Sequence, residues 1–300
     1  MSITEETIRK TAFKLIRAAS TILPQDIVEA LHRVHQGESN PVGRAHLESI
    51  LHNIEIAKER CCPVCQDTGL PLFFVTVGLR SGLKCDIEET IARSVEEATK
   101  KVPLRENVIN PLTKKNSGTN TGWGVPIIYY DIDNVDYVEL TAVPKGFGSE
   151  VKSSLVYIPT SRSIDEGVKR CVLDHVIADA GEACPPYIIG VGLGGTGDVA
   201  LHLAKKALFR SPVGSPNNDS LVAELESKLL DLTNRTNVGP MGSGGDNTAL
   251  AVHIEMCGTH TAVVPVGITF QCWAARYSKA RIHSNGSVEY VTHPFLSEGE

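Results

Sequence analysis

The chain has 300 residues, a formal net charge of −6 at pH 7 and 42% hydrophobic residues. This composition is typical of a soluble globular protein, and the acidic balance argues against nucleic acid as a partner. No apolar run reaches the ~20 residues that a membrane span requires, and the acidic N-terminus lacks the apolar core of a signal peptide. We therefore expect a cytoplasmic protein with no membrane partner, whose eight cysteines stay reduced.

The first hundred residues predict mainly helices. Ser2–Glu5 has the spacing of a capping box, and apolar residues follow at helical period to Ala19. Further helices are predicted over about Pro24–Gly37, Ala45–Glu59, Ile87–Lys101, Ile164–Ala180, Val199–Phe209 and Leu221–Thr233. Strands are predicted over Leu72–Gly78, Val125–Ile132, Tyr137–Val143, Ile188–Gly192, Thr248–Ile254 and Thr261–Thr269. The order predicts a mixed α/β (α+β) fold, a single domain over residues 1–300 with an N-terminal helical layer packed on mixed sheets.

Three cysteines lie in polar, turn-rich segments. These are Cys65 in Cys-Gln-Asp-Thr-Gly, Cys184 in Ala-Cys-Pro-Pro-Tyr and Cys272 in Phe-Gln-Cys-Trp. Zinc fingers and simple ferredoxins take their ligands from close pairs, so the wide spacing excludes a small metal knuckle. The trio fits three corners of an iron–sulfur cluster in a large fold, with the fourth iron left open. Three unrelated buried thiols are the alternative.

The segment around Cys65 carries further polar groups. Cys62 and Cys65 have Cys-x-x-Cys spacing, but no second pair completes a zinc site, and the preceding helix argues against a thioredoxin-like site. Gln66 and Asp67 are more informative, because polar groups beside a metal-bound thiolate can orient a substrate or move a proton.

Two glycine-rich segments could approach an anion. Gly190–Gly197 satisfies Gly-x-Gly-x-x-Gly, yet no acidic residue follows at the spacing of a dinucleotide site. It is either a strand-to-helix turn whose amides face an anion or a place of tight backbone packing, and the sequence does not decide between them. Gly146 and Gly148, beside Lys145 and just after a strand, could likewise present backbone amides to an anion.

Two single residues complete the candidates. His260 precedes the predicted strand that ends next to Cys272. Arg105 follows a helix and could clamp a carboxylate with two hydrogen bonds, although a surface ion pair is the commoner role for arginine.

Together these segments resemble the iron–sulfur hydro-lyases, namely the class I fumarases and the L(+)-tartrate dehydratases. The resemblance rests on Cys65–Gly69, Pro103–Asn107, Lys145–Ser149, Cys184–Gly192, Gly239–Gly242, His260 and Gln271–Arg276, which occur in family order over nearly the whole chain. The chain is most similar to the α subunit of a two-subunit enzyme.

The resemblance implies that Cys65, Cys184 and Cys272 hold a [4Fe–4S] cluster, in loops, with one iron not ligated by protein. It implies that Gln66, Arg105, Gly146 and Gly148 bind a small dicarboxylate and that Asp67 and His260 take part in catalysis.

The resemblance also implies a partner, because the family's proton-abstracting base is a threonine on another domain. We therefore expect a β subunit that carries this base, within an α2β2 heterotetramer. The Lys-Gly-Phe-Gly-Ser-Glu segment favours fumarate hydration, while L-tartrate dehydration and mesaconate hydration stay open. A non-catalytic iron–sulfur carrier is the alternative of another class, and a nucleotide-dependent oxidoreductase using the Gly190 segment is a further one.

Overall fold

The computed structural model of the protein describes residues 3–297. Its α-helices are α1 Glu5–Thr21, α2 Gln25–Gly37, α3 Pro41–Arg60, α4 Ile87–Lys101, α5 Phe147–Glu150, α6 Ile164–Asp179, α7 Gly197–Ala207 and α8 Ser220–Asn234. Its strands are β1 Leu70–Gly78, β2 Ile127–Asp133, β3 Tyr137–Lys145, β4 Ser154–Pro159, β5 Tyr187–Leu193, β6 Ala249–Met256, β7 Val263–Gln271, β8 Ser278–His283 and β9 Val288–Tyr290. Short 3-10 turns cover Pro240–Gly242 and Pro294–Ser297.

The chain forms two compact units. The first comprises the residues up to Gln25, Asn53–Gly146 and the residues from Arg276 on, and the second comprises Asp26–His52 and Phe147–Ala275. Each unit contains one sheet, and each sheet mixes parallel and antiparallel pairs. The predicted mixed α/β class is therefore confirmed, whereas the single-domain organisation stays a prediction.

The first unit is built on the sheet β2-β1-β3-β8-β9. Apolar residues of α1 and α4, among them Leu15 and Ile91, pack with Phe73 and Leu140 of the sheet in one core. Thr4 caps α1 by accepting a hydrogen bond from the Thr7 amide at 3.1 Å. Ser2, part of the predicted capping box, lies outside the described residues.

The second unit is built on the sheet β4-β7-β5-β6, with helices on both faces. Ile189 and Val191 of β5 share a core with residues of α6 and α8. Alternate residues of a strand face opposite sides, so Gly190 and Gly192 face α7. A Cβ at Gly192 would lie 1.9 Å from the Ala200 carbonyl oxygen of α7. Glycine is therefore required here for close strand–helix packing, which supports the packing interpretation for Gly190 and Gly192.

Within residues 3–297, no helix has both the length and the apolar character needed to cross a bilayer.

Candidate functional site

The Cys65 segment lies in the first unit, between α3 and β1. The Val64 amide donates to the Ser20 carbonyl oxygen at 2.9 Å, and the Asn53 side-chain amide donates to the Val64 carbonyl oxygen at 2.9 Å. Cys61 and Cys62 donate their backbone amides to carbonyl groups of the last turn of α3, so their backbone closes that helix. These bonds fix the chain immediately before Cys65.

After Cys65, the backbone turns sharply into β1. The Asp67 carboxylate accepts a hydrogen bond from the Gly69 amide at 3.0 Å. Gly69 has φ +86°, and a Cβ there would lie 2.5 Å from the Pro144 carbonyl carbon of β3. The turn that carries Gln66 and Asp67 therefore needs glycine at its end, for its conformation and for its close approach to the neighbouring strand.

A buried hydroxyl ties this turn to the segment of Arg105. Thr68 Oγ1 accepts from the Arg105 amide at 3.0 Å and from Asn107 Nδ2 at 3.3 Å. Asn120 Nδ2 donates to the Arg105 carbonyl oxygen at 2.9 Å. The Arg105 and Gln66 side chains are exposed, and these hydrogen bonds fix the backbone of the two segments that carry them. Two predicted substrate contacts, Gln66 and Arg105, are thus on adjoining segments.

Two buried basic residues lie beside the same turn: Lys145, which the sequence indicated next to Gly146, and Arg276, which it did not single out. Arg276 is 1% exposed, and its Nη1 donates to the Asp67 carbonyl oxygen at 2.6 Å. Lys145, at the end of β3, is 2% exposed. A Cβ at Gly146 would lie 2.9 Å from Arg276 Nη2 and 3.4 Å from Asp67 Oδ2. The absence of a side chain at Gly146 therefore lets both of these side chains lie close to its backbone. The first unit therefore brings Asp67, Gly146 and the Arg276 guanidinium together, and Lys145 directly precedes Gly146 in the chain.

Cys184 and Cys272 meet at one end of the second sheet. Strands β5 and β7 are antiparallel, and Ile188 pairs with Gln271. Cys184 precedes β5 and Cys272 follows β7, so the antiparallel register brings both to the same end of the two strands. The Trp273 amide donates to the Cys184 carbonyl oxygen at 3.1 Å.

The turn before Cys184 is held by ionised side chains. The buried Asp179 carboxylate accepts the Ala183 amide with both oxygens, at 3.1 Å each. Lys152 pairs with Asp179 and with Glu182. A Cβ at Gly148 would lie 4.0 Å from the Glu182 carbonyl oxygen, which locates Gly148 near this turn.

His260 lies at the opposite end of β7 from Cys272. The strand has nine residues, which at ~3.3 Å each span roughly 25–30 Å. His260 is exposed, and its Nδ1 accepts from the Ala262 amide at 3.2 Å. Gly194, in the turn before α7, donates to the Pro265 carbonyl oxygen at the same end. The second unit thus assembles Cys184, Cys272 and Gly148 at one end, and leaves both His260 and the N-terminus of α7 at the other.

The eight cysteines differ in exposure. Within residues 3–297 none of them forms a disulfide, and Cys65, Cys184 and Cys272 are partly exposed in loops. Among residues 3–297, no group of three or more His, Cys, Asp or Glu side chains already converges as a metal site. Burial raises the pKa of Cys85 and of Cys171, which favours the protonated, non-ligating form of these two thiols.

Comparisons with known proteins identify the family of this chain. A family model described as Fumarate hydratase (Fumerase) matches residues 9–281. A Methanocaldococcus jannaschii protein provisionally named L(+)-tartrate dehydratase subunit alpha is 44% identical over 279 residues, covering 92% of this chain and 97% of the relative. The L(+)-tartrate dehydratase subunit alpha of Escherichia coli K12 is 35% identical over 277 residues, covering 91% and 90%. The chain therefore belongs to the fumarate hydratase (Fumerase) family, and it is a hydro-lyase.

Proposed function

We propose that this chain is the α subunit of an iron–sulfur hydro-lyase that interconverts fumarate and malate together with a β subunit. The observation that carries the proposal is the β5–β7 register, which brings Cys184 and Cys272 to one edge of the second sheet. Two widely separated cysteines on adjoining loops are the arrangement that a cluster held by dispersed ligands needs. The resemblance supplies Cys65 as the third ligand.

The proposed cofactor is a [4Fe–4S] cluster held by Cys65, Cys184 and Cys272. Thiolates are the ligands that such clusters take, and these three thiols are partly exposed rather than sealed in a core, so the donor set fits. When bound, an iron without a protein ligand supplies a Lewis acid for a substrate hydroxyl and carboxylate.

The protein groups then bind and orient the dicarboxylate. Arg105 has an exposed guanidinium that can hold a carboxylate through two parallel hydrogen bonds. Gly146 and Gly148 let backbone amides approach the substrate closely, and Gln66 adds a side-chain amide. Lys145 and Arg276 add buried positive charge beside Asp67, which offsets the charge of an anionic substrate.

Proton transfer requires groups from other chains. The family's base is a threonine on the partner, so we assign the base to the β subunit and a hydrogen-bonding role in its network to Asp67. His260 lies a full strand length from Cys272. We therefore assign any contact of His260 with substrate to the site of a second copy within an α2β2 assembly. The α chain by itself is expected to be inactive.

The substrate is tested by co-expressing the chain with its β subunit and assaying fumarate, malate, L-tartrate and mesaconate under argon. The Lys145–Glu150 segment favours fumarate and malate, and the names of the relatives favour L-tartrate as the second candidate. We expect kcat/KM for malate to exceed that for L-tartrate, which carries one more hydroxyl, by at least about ten-fold. A preference for L-tartrate would reverse the order of the two candidates, and activity of the α chain alone would contradict the split site.

A further inference from the structure

A buried carboxylate occupies the glycine-rich loop Gly239–Asn247 of the second unit. Glu38, in the connection between α2 and α3, is 2% exposed. Its Oε1 accepts the amides of Asn40 and Asp246 at 3.0 Å each. Its Oε2 accepts the amides of Asp246 and Asn247 at 3.1 and 3.2 Å and Asn247 Nδ2 at 2.9 Å. Each of these five contacts comes from an N–H donor, so the position suits a group that only accepts hydrogen bonds.

The loop is shaped around this carboxylate. Gly245 has φ +141°, and a Cβ there would lie 2.7 Å from Glu38 Oε1. The contact is reciprocal, because Asp246 Oδ2 accepts the Ser39 amide at 3.0 Å. The concave run of loop amides is therefore an anion site whose anion is supplied by the chain itself.

The same loop holds the Cys184 segment on both sides. On the C-terminal side, the Met241 amide donates to the Pro185 carbonyl oxygen at 2.8 Å. On the N-terminal side, backbone packs on backbone, since a Cβ at Gly181 would lie 2.4 Å from Gly242 Cα. Movement of the loop would therefore shift the backbone at Cys184.

We propose that Glu38 is a positioning residue for Cys184. Its carboxylate fixes the Gly239–Asn247 loop, and the loop fixes the backbone that presents the thiol. Ligand atoms must be held to within about 0.5 Å for a site to function, and a buried carboxylate that accepts several amides supplies that rigidity. The effect on cluster binding rests on the proposed cluster, whereas the placement of Cys184 does not.

The test compares Glu38→Gln with Glu48→Gln, which makes the same charge change at an exposed position of α3. A glutamine at position 38 directs an NH2 group at N–H donors and so breaks the arrangement. The full chain, freed of iron by a chelator, is treated with iodoacetamide, and the alkylation rate of each cysteine is read by mass spectrometry.

We expect Glu38→Gln to change the Cys184 rate at least about ten-fold, the factor that corresponds to one lost charge-assisted hydrogen bond. Glu48→Gln and the Cys171 thiol in α6 should match the wild type. An unchanged Cys184 rate in folded Glu38→Gln would overturn the proposal, and so would an equal change at Cys171.

Asn247→Ala provides a milder second variant, because it removes one donor and keeps the carboxylate. It decides the question if Glu38→Gln does not fold: a selective change at Cys184 supports the proposal, and no change overturns it. Iron release to a chelator from anaerobically purified protein should also be faster in both variants. Failure of the wild type to bind iron would refute the proposed cofactor, yet the alkylation comparison would still decide the role of Glu38.

Discussion

The two units bury charges of opposite sign next to their cysteine segments. The first buries Lys145 and Arg276 beside the Cys65 turn, whereas the second buries Glu38 and Asp179 behind the Cys184 segment. The carboxylates accept backbone amides, which is a structural task. Arg276 donates to the Asp67 carbonyl oxygen and adjoins Gly146, where the proposed anionic substrate would bind. The first unit therefore places buried positive charge beside the proposed substrate site, whereas the second uses buried carboxylates to hold its own loops.

The largest effect is expected from replacing the three proposed cluster ligands, which come from both units. Serine substitution of Cys65, Cys184 or Cys272 should in each case remove most of the about four irons expected per chain, because each thiolate is proposed to hold one corner of the cluster. Cys257→Ser, at an exposed position of the second unit, is the matched control. Iron is measured on anaerobically purified protein. Full retention in all three variants would refute the assignment of ligands.

The next effect tests the cations of the first unit. Lys145→Met keeps much of the side-chain length and removes the charge, and we expect kcat/KM to fall at least about 100-fold, as for loss of one transition-state contact. Lys84→Met, at an exposed position, is the control. Lower stability with normal kinetics would make Lys145 structural.

For a buried carboxylate of the second unit we expect the opposite result, a loss of stability without a change in KM. Asp179→Asn retains an acceptor for the Ala183 amide but loses the pairing with Lys152. We expect the free energy of unfolding in urea to fall by about 1–3 kcal/mol, with KM unchanged. Asp174→Asn, exposed on α6, should stay within about 0.5 kcal/mol of wild type. If Asp179→Asn raised KM and left stability unchanged, the contrast between the two units would be lost.

The fourth prediction concerns pH. Burial, reinforced by the charge of Arg210, lowers the pKa of His253 in the second unit to about 4. The unfolded chain has a histidine pKa of about 6.5, so it binds the proton first as the pH falls. The contribution of His253 to the free energy of unfolding is therefore complete above about pH 6.5. As the pH falls towards 4, about 2–3 kcal/mol of it is lost progressively.

Urea unfolding between pH 7 and pH 4.5 measures how steeply the free energy of unfolding falls as the pH is lowered. His253→Gln should flatten this dependence, and His32→Gln, at an exposed position of α2, should not. Parallel pH profiles for wild type and His253→Gln would contradict the assignment.

Much of the fold was predictable because strong periodic patterns end at clear boundaries. The helix over Ile87–Lys101 and the strands around β1, β3 and β7 follow their apolar patterns closely. The local sequence pattern does not reveal α5, β4, β8 and β9. Strand β8 alternates buried and partly exposed positions through a run rich in basic residues, and β4 is a six-residue edge strand. Such short or polar strands are defined by their pairing partners, which local pattern does not reveal.

The motifs of the candidate site were predictable from the sequence, but the buried residues that hold them in place were less so. Conspicuous turn residues marked Cys65, Cys184 and Asp67. Lys145 was noted beside Gly146 and Arg276 was not singled out, and the burial of both was unforeseen, because a charged side chain is ordinarily exposed and only tertiary packing buries it. The anchoring role of Glu38 depends on a loop about 200 residues further along the chain, and spacing alone gives no signal for such a contact.

The three-part composition of the first unit has a consequence for biosynthesis. The Cys65 turn is completed by Arg276, and β3 is flanked by β8, yet both lie beyond every residue of the second unit in sequence. While the chain is being made, the ribosome must therefore deliver the whole second unit before the first can close. Such distant pairings form late. Cys65 emerges from the ribosome long before its surroundings exist, so the proposed cluster could be assembled at Cys65 only after both units have been made.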